Sequence, residues 1–259
     1  MPCVQIRIYA ELAELAGGTE ASVPVATPRS AKDAVESCGV PHPEVGLLLV
    51  DSQPVDFDHR LYGGERVAVF PPFRRIELSG VTTVEPPPIA PRFVLDVHLG
   101  TLTRRLRLLG FDCWYRTDAD DRQLAEVAVA EERILLTRDR GLLKRRVIHH
   151  GYCPRSDDPD EQAQEVVRRF SRDGQLAAWT RCVHCNGLLE RVSRDEVLEQ
   201  LPPRTRTEFD AFSRCVSCGQ VYWPGSHVDA MRGFVEGNVA RGAEPTAGFS
   251  RGGPAGRRP

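Results

Sequence analysis

The sequence predicts an α/β protein in which a parallel-sheet domain lies between a smaller β-rich module and a cysteine-rich segment. Three observations support this. Short apolar runs alternate with amphipathic stretches over residues 92–174, an order typical of a parallel sheet with right-handed crossovers. The Pro-rich run EPPPIAP at residues 85–91 is typical of a stiff linker. Two Cys-x-x-Cys pairs follow the apolar runs.

The composition is that of a globular protein, with 259 residues, 41% hydrophobic and 27% charged. The formal net charge of −2 excludes a global electrostatic attraction for nucleic acid, so any basic surface must be local. We expect no signal peptide, because Met1–Gln5 shows no basic region leading into an apolar core. No apolar run is long enough to span a membrane. The expected location is therefore cytoplasmic, where cysteines serve as thiols or metal ligands.

Residues 1–80 predict a compact β-rich module. Val4–Ile8 and Ala21–Val25 are predicted as a hairpin, and Ser30 as the N-cap of a helix. Strands at 45–50 and 67–70 complete a β-β-α-β-β order. This order resembles the ubiquitin-like β-grasp fold, and the ending VAVFPP is similar to its sulfur-carrier branch. Because the chain continues beyond Pro72 without a terminal Gly-Gly, we interpret the module as a docking domain for a protein partner. A sulfur-transfer or conjugation partner is the third and weakest functional hypothesis.

The predicted boundaries are as follows. The ubiquitin-like domain spans 1–80, the Pro-rich linker 81–91, the parallel-sheet domain 92–174, the cysteine ribbon 175–235 and a disordered tail 236–259. Within the middle domain, strands are predicted at 93–95, 111–115, 133–137 and 147–152. Helices are predicted at 98–109, from 120 or 121 to 132, at 142–146 and at 160–170.

Acidic residues follow the predicted strands of the middle domain. Asp96 follows the first strand and Asp139 lies just beyond the third, while Asp118, Asp120 and Asp121 lie in the turn after the second. Binding sites in parallel sheets form beyond the carboxyl ends of the strands. Clustered carboxylates repel one another unless a hard cation such as magnesium or manganese compensates. The alternative is helix capping, for which Asp120, Asp121 and Asp139 are well placed.

Four stretches of the middle domain resemble the Mut-seven C-terminal RNase family, a branch of the PIN-like nucleases. They are FVLDVHLG (93–100), LRLLGFD (106–112), DADDRQL (118–124) and RILLTRDR (133–140). A ubiquitin-like leader also occurs in that family. The resemblance implies a metal-dependent ribonuclease in which Asp96, Asp121 and Asp139 are the catalytic, metal-binding acids. Asp157 and Asp158 are candidates for an additional acid, with helix capping as the alternative.

The implied partner is RNA of undetermined class, gripped by arginines and the ribbon. Phosphate contacts would supply most of the affinity, and a solvated helix face is the alternative for each arginine. The predicted RNA-binding residues are Arg104, Arg105, Arg107, Arg138, Arg140, Lys144 and His227. The second functional hypothesis is a non-catalytic RNA- or ribosome-binding protein that retains the fold.

The two Cys-x-x-Cys pairs predict a structural zinc site. Four thiolates suit tetrahedral zinc, and a closed four-cysteine site has no open position for catalysis. The predicted ligands are Cys182, Cys185, Cys215 and Cys218. Free thiols or a redox pair are the alternatives.

Overall fold

The computed structural model describes residues 1–73, 90–171, 176–224 and 233–237. His227, almost all of the Pro-rich linker and almost all of the predicted tail lie outside the described residues. No helix in the described ranges has the length and apolar character needed to cross a bilayer.

The N-terminal domain is a β-grasp fold. Its strands are β1 (Cys3–Ile8), β2 (Glu20–Pro24), β3 (Arg29–Ser30), β4 (Leu47–Val50), β5 (Gln53–Pro54), β6 (Arg60–Leu61) and β7 (Arg66–Phe70). Its helices are α1 (Leu12–Ala16), α2 (Ala31–Ser37) and the 3-10 turn His42–Glu44. The main sheet has the order β2-β1-β7-β4-β5, with β1 parallel to β7. Ser30 caps α2 as predicted, since its hydroxyl accepts from the Asp33 N–H at 3.1 Å.

The middle domain is a four-stranded, fully parallel sheet. Its strands are β8 (Arg92–Leu95), β9 (Asp112–Trp114), β10 (Ile134–Leu136) and β11 (Gly151–Tyr152), in the order β11-β10-β8-β9. Its helices are α3 (Gly100–Leu108), α4 (Asp121–Ala130), α5 (Arg140–Leu143) and α6 (Pro159–Phe170), with a 3-10 turn at Val97–Leu99. The predicted fold class is confirmed. The strand predicted from residue 147 begins only at Gly151, because a turn closed by Ile148 N–H to Arg145 O at 3.0 Å occupies the preceding residues.

Alternate residues of the central strands point to opposite faces of this sheet, so the two faces have different cores. Phe93 and Leu95 pack with α3 and α6. Val94 and Leu135 belong to a cluster that includes α4 and α5 and continues into the N-terminal domain. One apolar core therefore joins the β-grasp domain to the parallel sheet.

The cysteine-rich segment forms a small antiparallel sheet of β12 (Leu189–Val192), β13 (Phe212–Cys215) and β14 (Val221–Tyr222). Short helices α7 (Arg194–Val197) and α8 (Thr205–Glu208) and a 3-10 turn at Leu198–Gln200 interrupt it. Its own apolar cluster is small, with Phe212 and Val221 among its four buried members. A core of this size needs additional support, which the cysteine pairs are placed to give.

Candidate active site

The carboxyl ends of the two central strands, β8 and β10, form the candidate site. In the sheet, β9 lies on one side of β8 and β10 lies on the other, so the chain passes back across β8 between β9 and β10. The gap between β8 and β10 is therefore the topological switch point, where ligands bind in open parallel sheets. Asp96 directly follows β8, and Thr137 directly follows β10.

The buried hydroxyl of Thr137 connects Asp96 to Asp139 at this edge. The Thr137 Oγ1–H donates to Asp96 Oδ2 at 2.6 Å, and Thr137 Oγ1 accepts from the Asp139 N–H at 2.9 Å. Thr137 is fully buried at 0% exposure, and Asp96 is 9% exposed. Thr137 thus fixes the carboxylate of Asp96 relative to the backbone of Asp139.

Both acids also cap short helical turns. Asp139 Oδ1 accepts from the N–H groups of Gly141 (2.7 Å) and Leu142 (3.2 Å) at the start of α5. Asp96 Oδ1 accepts from the His98 N–H at 3.3 Å. The capping alternative is therefore correct in geometry. Capping orients the two carboxylates without bringing a basic side chain to either of them.

Within the described ranges, neither Asp96 nor Asp139 forms an ion pair with a basic side chain. Asp96 is buried at 9% exposure, whereas the side chain of Asp139 is exposed to solvent. Oxygen ligands of this kind suit a hard divalent cation. The donor set at this edge therefore fits magnesium or manganese.

Asp121 has a different side-chain partner from the other two acids. It begins α4 in an exposed position, and its Oδ2 lies 3.3 Å from Arg145 Nη2. In the part of the chain that the structure describes, one group of three or more potential ligands has all its ligand atoms within 4.8 Å, and it is the four cysteines. The structure therefore links Asp96 to the backbone of Asp139 through Thr137, and it pairs Asp121 with Arg145.

The remaining acids considered from the sequence have local partners. Asp120 is the N-cap of α4 and forms a capping box with Gln123. Asp158 caps α6, where its Oδ1 accepts from the N–H groups of Asp160 (2.9 Å) and Glu161 (3.0 Å). Asp118 pairs with Arg116, and Asp157 pairs with Arg138. Asp158 therefore caps a helix in the same way as Asp139, and its role as an additional metal-binding acid stays a prediction.

Three of the predicted RNA-contacting side chains are at least partly exposed. Arg104 is exposed on α3. Arg105 pairs with Asp160 at 2.5 Å, and its guanidinium lies 5.4 Å from the ring centroid of Phe234. Arg138 is 47% exposed and pairs with Asp157. These side chains retain access to solvent.

The other three described residues of that set donate to backbone carbonyls, and the burial of Arg107 corrects the RNA-contact prediction for that residue. Arg107 is 4% exposed, and its guanidinium donates to the carbonyls of Cys113, Val183 and His184. Arg140 donates to Leu15 O, and Lys144 donates to Glu36 O, both in the N-terminal domain. Arg140 remains exposed and Lys144 half-buried, so an RNA contact stays a prediction for these two side chains.

The four cysteines form a compact cluster. The Sγ atoms of Cys182 and Cys218 are 3.7 Å apart, and those of Cys185 and Cys215 are 3.4 Å apart. Tetrahedral zinc with Zn–S bonds of about 2.3 Å places its sulfurs roughly 3.8 Å apart. The donor set and its spacing therefore fit zinc.

Two further groups support this cluster. The Tyr222 hydroxyl and Cys182 Sγ form a hydrogen bond of 3.1 Å. Burial opposes ionisation of the Cys215 thiol, but the N–H groups of Cys218 and Ser217 outweigh it and lower the pKa of Cys215 to about 7. Hydrogen bonds from outside the ligand set orient metal-binding sulfurs and stabilise their charge.

The first cysteine pair also closes the free edge of the parallel sheet at β9. The edge-facing N–H of Cys113 donates to Asn186 Oδ1 at 3.0 Å, and the Cys113 carbonyl accepts from Arg107 Nη2 at 2.8 Å. Asn186 Nδ2 donates to Asp112 Oδ1 at 2.9 Å. An edge strand otherwise exposes unpaired backbone groups. The ribbon is therefore joined to the sheet by side chains from both sides.

Asp112 makes this junction sensitive to acid. Burial disfavours its ionised form, but hydrogen bonds from Arg133 (2.7 Å) and Asn186 outweigh burial and lower the pKa of Asp112. A lowered folded-state pKa gives stability that is complete above the unfolded pKa of about 3.9 and is lost as pH falls through the folded value.

We expect unfolding free energies of the Asp112→Asn protein to fall less steeply than those of the native chain below about pH 4. Urea titrations across this range measure the difference, and equal slopes would contradict it.

Sequence reasoning overlooked Thr137, Asp112 and Asn186 as functional positions. Thr137 lies within the run that was matched to the family, but only its position between β10 and Asp139 indicates a linking role. Asp112 and Asn186 are separated by 74 positions in sequence. No local pattern signals that they meet.

The fold and the acid pair define an α/β protein with a β-grasp domain at one edge of its sheet and a four-cysteine ribbon at the other. A family model described as the Mut7-C RNAse domain matches residues 91–235, and one described as Mut7-C ubiquitin matches residues 1–77. The chain belongs to the Mut7-C RNAse domain family. A search of curated proteins found no match.

Among solved structures, the chain is similar to small archaeal modifier protein 1 of Haloferax volcanii and to a putative molybdopterin converting factor, subunit 1, of Pyrococcus furiosus. The first shares 19% identity over 28% of this chain and 100% of its own, with a TM-score of 0.25. The second shares 22% identity over 28% of this chain and 100% of its own, also with a TM-score of 0.25. Scores this low add nothing to the family assignment.

Proposed function

We propose that the protein is a metal-dependent ribonuclease that cleaves RNA phosphodiesters at the edge formed by Asp96 and Asp139. The observation that carries the proposal is the hydrogen-bonded link of Asp96 through Thr137 to Asp139 at the switch point of the sheet. The family match to an RNAse domain supports the same reaction class.

Asp96 and Asp139 would hold magnesium or manganese, with Asp121 as the third acid that the family resemblance implies. Such an ion supplies Lewis acidity and lowers the pKa of a bound water. Thr137 keeps the Asp96 carboxylate oriented, and the N–H groups of Gly141 and Leu142 hold Asp139. The exposed Arg104 and Arg138 would contact RNA phosphates, as His227 would from the ribbon. We further propose that the four cysteines bind a structural zinc ion.

A non-catalytic RNA-binding protein is the second candidate. Among the described residues, the three acids do not form a group with all ligand atoms within 4.8 Å, and this favours it, because a complete cleavage site brings its carboxylates to the same ion. Both candidates keep RNA as the partner and retain the β-grasp domain as a possible protein-docking surface. They differ only in whether a divalent ion at Asp96 and Asp139 supports cleavage.

Asparagine variants of the two acids test the proposal. Asn at position 139 keeps a capping oxygen for α5, so Asp139→Asn removes charge with little structural change. We expect Asp96→Asn and Asp139→Asn each to lower the cleavage of a labelled single-stranded RNA in magnesium or manganese roughly a hundredfold or more, because metal coordination is worth several kcal/mol. Binding of the same RNA should remain close to that of the native chain.

Asp118→Asn is the matched control, since Asp118 is exposed and pairs only with Arg116 among the described residues. It should cleave like the native protein. Unchanged cleavage in both site variants would refute the site. RNA binding without divalent-dependent cleavage by the native chain would favour the non-catalytic candidate.

A further inference from the structure

The β-grasp domain packs against the segment of the parallel-sheet domain that carries Asp139. His42 is buried between the domains, with Nδ1 2.7 Å from Glu36 Oε1 and Nε2 2.8 Å from Ile148 O. The buried side chains of Val35, Val40 and Leu12 share one apolar cluster with Leu142 and Ile148. The contact therefore has both a polar and an apolar component.

Two cations fasten α5 to the helices of the β-grasp domain. Arg140 Nη1 donates to Leu15 O at 2.8 Å, near the C-terminus of α1. Lys144 Nζ donates to Glu36 O at 2.7 Å, near the C-terminus of α2. Carbonyls in the last turn of a helix have no partner within the helix, and they carry the negative end of its dipole. Both contacts are consequently favourable charge-assisted hydrogen bonds.

These two contacts lie at the two ends of α5, a helix that is too short to be stable alone. α5 contains four residues, Arg140–Leu143, and Asp139 is its N-cap. Isolated helical turns are unstable in water because nucleation is costly. The conformation of Asp139 therefore depends on what holds α5, and two of its polar restraints come from the β-grasp domain.

We propose that the β-grasp domain is a fixed part of the active site, which positions Asp139 by holding α5 through Arg140 and Lys144. This inference rests on the proposed ribonuclease function. The two cations are positioning residues, and they act through Asp139 rather than on RNA. The domain stays docked while the enzyme turns over.

The competing interpretation is the one drawn from sequence, in which Arg140 and Lys144 bind RNA phosphates. The two interpretations predict opposite kinetics. A lost phosphate contact weakens RNA binding and raises KM. A misplaced catalytic carboxylate lowers kcat, by roughly 10- to 100-fold for a displacement near 1 Å, while ground-state binding is kept.

The experiment uses the full chain with Arg140→Met and Lys144→Met combined, and Arg122→Met as the control, because Arg122 is exposed and pairs only with Glu126 among the described residues. We expect the double variant to lose roughly 10- to 100-fold in kcat with KM and RNA affinity within about twofold. Lys144→Arg, which keeps a donor at that position, should lose less than Lys144→Met.

A second measurement does not depend on catalysis. The Gly141 and Leu142 N–H groups donate to Asp139 Oδ1, so their hydrogen-exchange protection reports the position of Asp139. We expect their protection to fall in the double variant and not in Arg122→Met. Unchanged protection, a raised KM with unchanged kcat, or lost protection with unchanged kcat would each overturn the proposal. If the native chain cleaves no RNA, the proposed function fails, and the exchange data still decide whether the domain holds α5.

Discussion

Replacement of Cys182 by serine is expected to release zinc and to loosen both the ribbon and the edge of the parallel sheet. Cys182 is 0% exposed, and its Sγ lies in the four-cysteine cluster. Structural zinc contributes about 10 kcal/mol or more of binding free energy, which is folding free energy for a small ribbon. A ribbon with four buried apolar residues in its own cluster has little else to replace it.

We expect the loss of zinc to affect the parallel sheet as well, because the first cysteine pair is joined to β9. Asn186 and Arg107 satisfy the free N–H and carbonyl of Cys113 only while the residues from Cys182 to Asn186 keep their conformation. We therefore expect hydrogen-exchange protection of the Cys113 N–H to fall together with zinc content. Metal analysis and exchange measured on the same preparation check this.

Cys3→Ser is the control, since Cys3 lies in the β-grasp domain, outside the four-cysteine cluster. It should retain full zinc content and full protection at Cys113. A Cys182→Ser protein that keeps its zinc would contradict the ligand assignment. Lost zinc with unchanged protection at Cys113 would show that the ribbon and the sheet are energetically independent.

Replacement of Glu44 by glutamine is expected to lower the free energy of unfolding by roughly 3–5 kcal/mol, the usual cost of removing one partner of a buried ion pair. Glu44 is 0% exposed. Its carboxylate accepts from Arg155 at 2.8 and 3.1 Å and from the Cys153 N–H at 2.7 Å, next to the edge strand β11. Arg169 approaches the same carboxylate at 3.4 Å.

The neighbouring groups show why the charge matters. Burial opposes protonation of Arg155, but the hydrogen bond and the charge of Glu44 outweigh burial and raise the pKa of Arg155. Neutralising Glu44 leaves the largely buried Arg155 without a balancing charge, and it leaves Arg169 with only the partly exposed Glu11. Such unpaired cations are costly in a region of low dielectric constant.

Glu11→Gln is a matched control because Glu11 also pairs with Arg169, at 3.2 Å, but is 44% exposed. An exposed ion pair contributes about 1 kcal/mol or less. Chemical denaturation of both variants measures the two costs. Similar small losses in both would show that the buried network does not hold the domains together.

The sequence alone determined which folded segments the protein contains and the fold class of each. Periodicity and capping residues suffice to predict β1, α2, α4 and α6. A helix or strand with one buried face has a regular spacing of apolar residues, and that spacing is visible in the local sequence. The Cys-x-x-Cys pairs predict their own cluster, since each pair lies in one short turn. Asp96 comes directly after an apolar strand and Asp139 follows shortly after another, so the sequence predicts both at the carboxyl edge of the sheet.

Tertiary structure alone decided which partners the charged side chains have. Arg107, Arg140 and Lys144 each donate to a carbonyl of a neighbouring domain, although Arg140 stays exposed. Asp121 pairs with Arg145, whereas Asp139 caps α5. These outcomes depend on contacts between residues far apart in sequence, as for Arg140 with Leu15, 125 positions away. A hydrogen bond needs two groups at a set distance, and a local pattern specifies only one of them.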